Sequence, residues 1–184
     1  MANPKSAYSV SSKKEKSDTH IIVVWVDNES GVLARVVGLF SGRGYNIESL
    51  AVAEVDAKRN ISRITIVTTG TPQVIDQIKL QLKKLVPVHK VADFKRNDKE
   101  ILFRELALFK VLGNNKKQEK AKKICKKFNP VFLDRTKKSF VLQVTALRRD
   151  IDKLALDLKP LGLISTSRTG AVAMTRGAKT FSIK

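Results

Sequence analysis

The sequence predicts an α+β chain built from two βαββαβ units in tandem. Three observations carry that expectation. Short apolar runs of strand length alternate with stretches whose apolar residues follow a helical period. Clusters of Gly, Pro, Asn and Asp separate them at close intervals. The order of elements over residues 21–94 then recurs over residues 101–167. With 184 residues, 42% of them apolar, two small packed domains are within reach of the chain.

In the first unit, Ile21 to Val26 reads as a buried strand: short, β-branched and bounded by Asp27-Asn28. Val32, Leu33, Val36, Val37 and Phe40 then fall on one face of a helix, with Arg35 and Ser41 off it. Gly42 or Gly44 can take the left-handed position that ends that helix. Ile47 to Val55 reads as a second strand and residues 56–60 as a polar turn. Ser62 to Thr69 is a third strand, Ile64 and Ile66 facing one way and Thr65, Val67 and Thr69 the other. Thr71 is placed to cap a second helix and Pro72 to open it. Val74, Ile75, Ile78, Leu82 and Leu85 form its stripe, and Val86 to Phe94 a fourth strand. Two helices in such an order cover one face of an antiparallel sheet.

The second unit repeats the plan. Ile101 to Val111 is a strand, and Lys116 to Phe128 a lysine-rich helix with Ala121, Ile124, Cys125 and Phe128 inward. Asn129 to Asp134 and Ser139 to Thr145 are strands around the turn 135–138. Asp150 to Leu158 is a helix and Leu161 to Ser167 the last strand. Thr169 to Lys184 reads as an irregular basic tail. The expected organisation is a polar arm over 1–19, one unit over 20–97 and a second over 98–184.

Charge is uneven. The chain carries a formal +19, of which residues 98–184 hold +13, from twenty-one basic and eight acidic side chains. Such asymmetry raises nucleic acid, membrane surfaces and acidic proteins as partners. No apolar run approaches the ~20 residues of a membrane helix. The helix 116–127, with seven lysines and one glutamate, reads as a solvated face or a phosphate-binding surface. Single-strand readers of this topology stack bases on aromatics of the central strands. Residues 64–67 contain none, and Phe140 stands alone in the second unit, so nucleic acid is not the expected partner. Residues 1–20 lack the apolar core of a secretory signal. The single Cys125 allows no intramolecular disulfide and suits a reducing, cytoplasmic setting.

No catalytic constellation is legible. His20 and His89 lie far apart, and Cys125 has no histidine near it in sequence. Neither a metal-ligand cluster nor a phosphate loop is spelled out, because Gly38, Gly42 and Gly44 lie inside and after a helix. The expected catalytic and metal residues are therefore none. What remains is the turn Asn28-x-x-Gly31 between a strand end and a helix start. Helix-start N–H groups lack intrahelical partners and grip anions, and glycine lets a ligand come close. Asn28 and Asn46 can offer amides to a carboxylate or an ammonium. The plain alternative is that Asn28 caps the helix and Asn46 sits in a turn.

The run NESGVLARVVGLFSGRGYNIESL (Asn28–Leu50), with SRITIVTTG (Ser62–Gly70) and QLKKLVPVHKV (Gln81–Val91), resembles the small regulatory subunit of acetolactate synthase. Weaker echoes occur over Glu105–Val111, at 167–170 and at 176–177. The resemblance implies two ferredoxin-like βαββαβ domains, the first an ACT domain that senses amino acids. It implies no chemistry and no cofactor on this chain. The partner would be the large catalytic subunit, carrying thiamine diphosphate, Mg2+ and FAD, which the small subunit activates and makes sensitive to valine. The effector site would lie between ACT domains of a homodimer. Asn28, Gly31, Val32 and Leu33 would form one side, and Asn46 and Ile47 of the facing subunit the other. The second half is more basic than that family leads one to expect.

Overall fold

A computed structural model of the chain describes residues 16–96 and 98–178. Its first unit runs β1 (Asp18–Asp27), α1 (Val32–Ser41), β2 (Ser49–Asp56), β3 (Ile61–Gly70), α2 (Pro72–Lys83), β4 (Val88–Lys95). The strands form an antiparallel sheet in the order β2-β3-β1-β4. The second runs β5 (Ile101–Leu112), α3 (Asn115–Cys125), β6 (Val131–Arg135), β7 (Ser139–Ala146), α4 (Arg148–Leu158), β8 (Leu163–Arg168). Its order, β6-β7-β5-β8, is the same one. Both units are thus ferredoxin-like. The expected arm lies largely outside the described residues, and its last two residues, Asp18 and Thr19, already belong to β1.

Alternation along the strands builds three cores. Ile22, Val24, Ile64 and Ile66 point at α1 and α2, where they meet Val36, Phe40, Ile78 and Leu82. Phe109, Val111, Phe140 and Leu142 do the same beneath α3 and α4, against Ala121, Cys125, Ile151 and Leu154. The opposite face of the first sheet is not left to water. Ile21, Val23, Trp25, Val67 and Phe94 pack there against Ile101, Ala171 and Ala173.

That third core corrects one expectation. The segment read as an irregular tail contains a strand, β9 (Val172–Thr175). It pairs with Ile101–Arg104, the first four residues of β5. The rest of β5, from Glu105, belongs to the second sheet. One long strand therefore starts over the first unit and ends in the second. Gly170, at φ +78°, turns the chain out of β8 toward β9. Arg63 of β3 donates to the Ala173 carbonyl and stacks over Trp25 at 5.3 Å, fastening β9 to the sheet.

Side-chain caps open two of the four α-helices among the described residues. Thr71 accepts from Val74 N–H, with Pro72 as first residue of α2. Asn114 accepts from Lys117 N–H at 3.0 Å and opens α3. The inward face of α1 is Val32, Val36, Leu39 and Phe40. Leu39 replaces Leu33, which is 41% exposed. Gly42 remains right-handed helical, and Gly44, at φ +67°, makes the left-handed turn.

Candidate functional site

The loop joining β1 to α1 is held from both sides by backbone. Asp27 N–H donates to the Pro87 carbonyl at 2.9 Å, and Asn28 N–H to that of Asn60 at 2.7 Å. The Asn28 side chain does not cap α1. Its Oδ1 accepts from Ser62 Oγ at 2.9 Å, across the sheet to β3. The cap position is Gly31, left-handed at φ +83°, and no side chain closes the helix start. Nothing lies within 4 Å of where a Gly31 Cβ would stand. An open backbone turn, a helix start without a side-chain acceptor and the amide Nδ2 of Asn28 thus share one corner. Val32 is buried in the first core and lends that corner only its backbone; Leu33 presents an apolar side chain outward.

Asn46 and Ile47 lie at the other end of the sheet. The Asn46 carbonyl accepts from Thr68 Oγ1 at 2.7 Å, and Thr68 stands opposite His20 at the start of β1. From His20 to Asn28 an extended chain covers about 26 Å, at roughly 3.3 Å per residue. One chain therefore does not bring Asn46 and Ile47 to Gly31. The Asn46 side chain is exposed and makes no hydrogen bond to the described residues, while Ile47 leans on the first core.

β2 joins the two corners. It begins at Ser49, just after Asn46-Ile47, and ends at Asp56, opposite Ile61 and beside the Asn60 that holds Asn28. It is also an edge of the sheet, with Val52 44% and Val55 52% exposed. Unpaired apolar edges are templates for another strand. If two copies pair antiparallel there, the start of one β2 lies beside the end of the other. The half with Asn46 and Ile47 then meets the half with Asn28, Gly31 and Leu33.

Titratable groups elsewhere are engaged with one another. His20 Nδ1 lies 2.7 Å from Asp93, which also faces Lys79 at 3.5 Å. The Asp76 hydrogen bond holds the Lys79 ammonium above its usual range and the Asp76 carboxyl below its own. His89 meets Asp27 at 2.6 Å. Burial pushes the Cys125 thiol up to about 11, so it is protonated and shielded at neutral pH. No group of three or more His, Cys, Asp or Glu among the described residues has metal-holding geometry. No helix of the described residues is long and apolar enough to cross a membrane. Phe140, the aromatic that base stacking would need, is fully buried under the helices of the second unit.

Residues 22–90 match the family model described as "AHAS small subunit-like ACT domain", and residues 104–177 that of the "Small subunit of acetolactate synthase". The acetolactate synthase small subunit of Buchnera aphidicola is 39% identical over 158 residues, covering 85% of this chain and 98% of the relative. The chain belongs to the acetolactate synthase small-subunit family. The Haemophilus influenzae small subunit is 38% identical over 160 residues, covering 86% and 96% of the two chains. The crystal structure of the Thermotoga maritima small subunit superposes with a TM-score of 0.79 at 31% identity, covering 88% of this small subunit and 99% of that one. The first unit is thus an ACT domain. Sequence reasoning missed the Ser62 and Asn60 contacts that hold Asn28, because strand register has no local signature. It also missed β9, whose four residues are too few for a visible period.

Proposed function

We propose that this small subunit is a non-catalytic regulator. It docks on the thiamine-diphosphate-dependent large subunit of acetolactate synthase, raises its activity and makes it sensitive to valine. Pyruvate condensation, with thiamine diphosphate, Mg2+ and FAD, belongs to that partner. Supporting this reading is the placement of two half-sites at the two ends of one exposed edge strand in an ACT domain. A homodimer paired along β2 unites them, twice, by symmetry.

The chemistry of the joined site suits a free amino acid. N–H groups at the Gly31 turn and the Asn28 amide face the carboxylate. Asn28 Oδ1 already accepts from Ser62 Oγ, so its Nδ2 is left to donate, and the Asn46 oxygen of the second copy takes the ammonium. Leu33 and Ile47 flank the isopropyl group, whose burial stabilises by ~1.5–3 kcal/mol. One extra methylene changes binding by only about 0.8 kcal/mol, so leucine and isoleucine act as weaker effectors. Valine inhibits because it prefers the dimer arrangement that activates the large subunit less.

The test is a titration of this chain into its cognate large subunit while acetolactate formation is followed. The rate should rise to saturation and fall back on adding valine. A flat titration would remove the regulatory reading, and a rise without valine response would remove the effector.

A further inference from the structure

We propose that the cleft between the two units is a second ligand site, for a short aliphatic carboxylate without an amino group. The cleft holds about 150 Å3 and is lined by Arg96, Arg104, Arg148 and Arg149. Phe103, Leu147 and Ala171 contribute its apolar surface.

The arginines exceed the carboxylates that could neutralise them. Two glutamates line the same cleft, Glu48 and Glu105. Glu105, 4% exposed at its side chain, is already paired edge-on with Nε and Nη2 of the Arg168 guanidinium, at 2.5 and 2.8 Å. Glu48 accepts from Thr69 Oγ1 and reaches Arg148 only at 3.4 Å. Arg104 donates to the carbonyl of its neighbour Phe103, and Arg149 has Asp150 at 3.8 Å. The Arg96 guanidinium makes no hydrogen bond or ion pair with the described residues. Four guanidiniums and one available carboxylate leave a positive excess in a walled space, which concentrates anions. Arginine's planar fork matches a carboxylate edge-on.

Size and polarity narrow the ligand. The cleft has room for several waters, and so for a small organic anion. The apolar wall favours an aliphatic tail over bare phosphate. A free ammonium would face four arginines with one glutamate to receive it, so an amino acid is disfavoured. The cleft also touches the effector corner. Glu48 directly follows Ile47, so an anion that takes Arg148 removes one of the contacts that hold Glu48 beside the effector corner.

Calorimetry on the full chain tests this with isobutyrate, the neutral isobutyramide and inorganic phosphate as probes. Isobutyrate should bind at millimolar concentration, phosphate more weakly, and the amide not at all. Arg96→Gln with Arg104→Gln, both exposed and so compatible with folding, should weaken isobutyrate at least tenfold. Gly31→Asp should leave it unchanged, which separates this site from the effector site. Absence of isobutyrate binding, equal binding of the amide, phosphate as tight as isobutyrate, or indifference to the arginine pair would each overturn the proposal.

Discussion

Gly31→Asp adds strain and charge at the β1–α1 turn, and no clash. The residue sits at φ +83° with open space around the missing Cβ. A left-handed L-residue costs roughly 1–2 kcal/mol. A carboxylate at a helix start returns ~0.3–1 kcal/mol. The net destabilisation is therefore modest, and urea unfolding should move by less than ~2 kcal/mol. Binding should suffer far more. Two carboxylates about 4 Å apart repel by ~4 kcal/mol at an effective dielectric of ~20. That corresponds to a loss of nearly a thousandfold in valine affinity. Gly31→Ala carries the same strain without the charge and should keep most of the affinity. Calorimetric titration of valine into the three proteins reads the difference. Normal binding by Gly31→Asp would refute the placement of the carboxylate. Equal loss in Gly31→Ala would show that backbone shape, and not charge, governs the site.

Other expectations follow from the same geometry. Gly162 lies at φ +102°, and a Cβ there would stand 1.9 Å from the Leu112 carbonyl oxygen, so Gly162→Ala should cost ~3 kcal/mol or more in urea unfolding. Gly177→Ala, with a comparable φ of +65° and no neighbour within 4 Å, should cost only about 1 kcal/mol. Arg168→Met strips the buried Glu105 of its clamp and should destabilise by ~3–5 kcal/mol. Adding Glu105→Gln should recover much of that loss in a double-mutant cycle. Val52→Asp with Val55→Asp on the β2 edge should turn the proposed dimer into a monomer in sedimentation, with unchanged far-ultraviolet circular dichroism.

Where a residue's role depends on local period or on its own turn, it was legible in advance. Thr71 and Pro72 start a helix by their own chemistry, and Phe109, Phe140 and Leu142 alternate inward in plain sight. The order of elements along the chain followed once both repeats were seen. What was hidden depends on register or on distant chain. Leu33 satisfied the helical stripe, but α1 starts at Val32 and is rotated so that Leu39 takes the inward place. The double burial of β1 comes from β5 and β9, more than seventy residues downstream. Of the candidate site, the open glycine turn at Gly31 was readable from Asn-x-x-Gly, and its left-handed backbone was not. The engagement of Asn28 by Ser62 was not, since it rests on pairing of β1 with β3.

The central claim is that each effector pocket is made by two copies. Mixing Gly31→Asp chains with Asn46→Ala chains tests it directly. Each variant alone breaks both pockets of its own dimer. In a mixed dimer both lesions fall in one pocket and the other is intact. After subunit exchange at equal concentrations, calorimetry should recover valine binding at about a quarter of the wild-type stoichiometry, as a two-fold interface requires. Acetolactate synthase activity with the large subunit should regain partial valine inhibition in parallel. If the exchanged mixture binds no more valine than the separate variants, the pocket is not shared and the account is wrong.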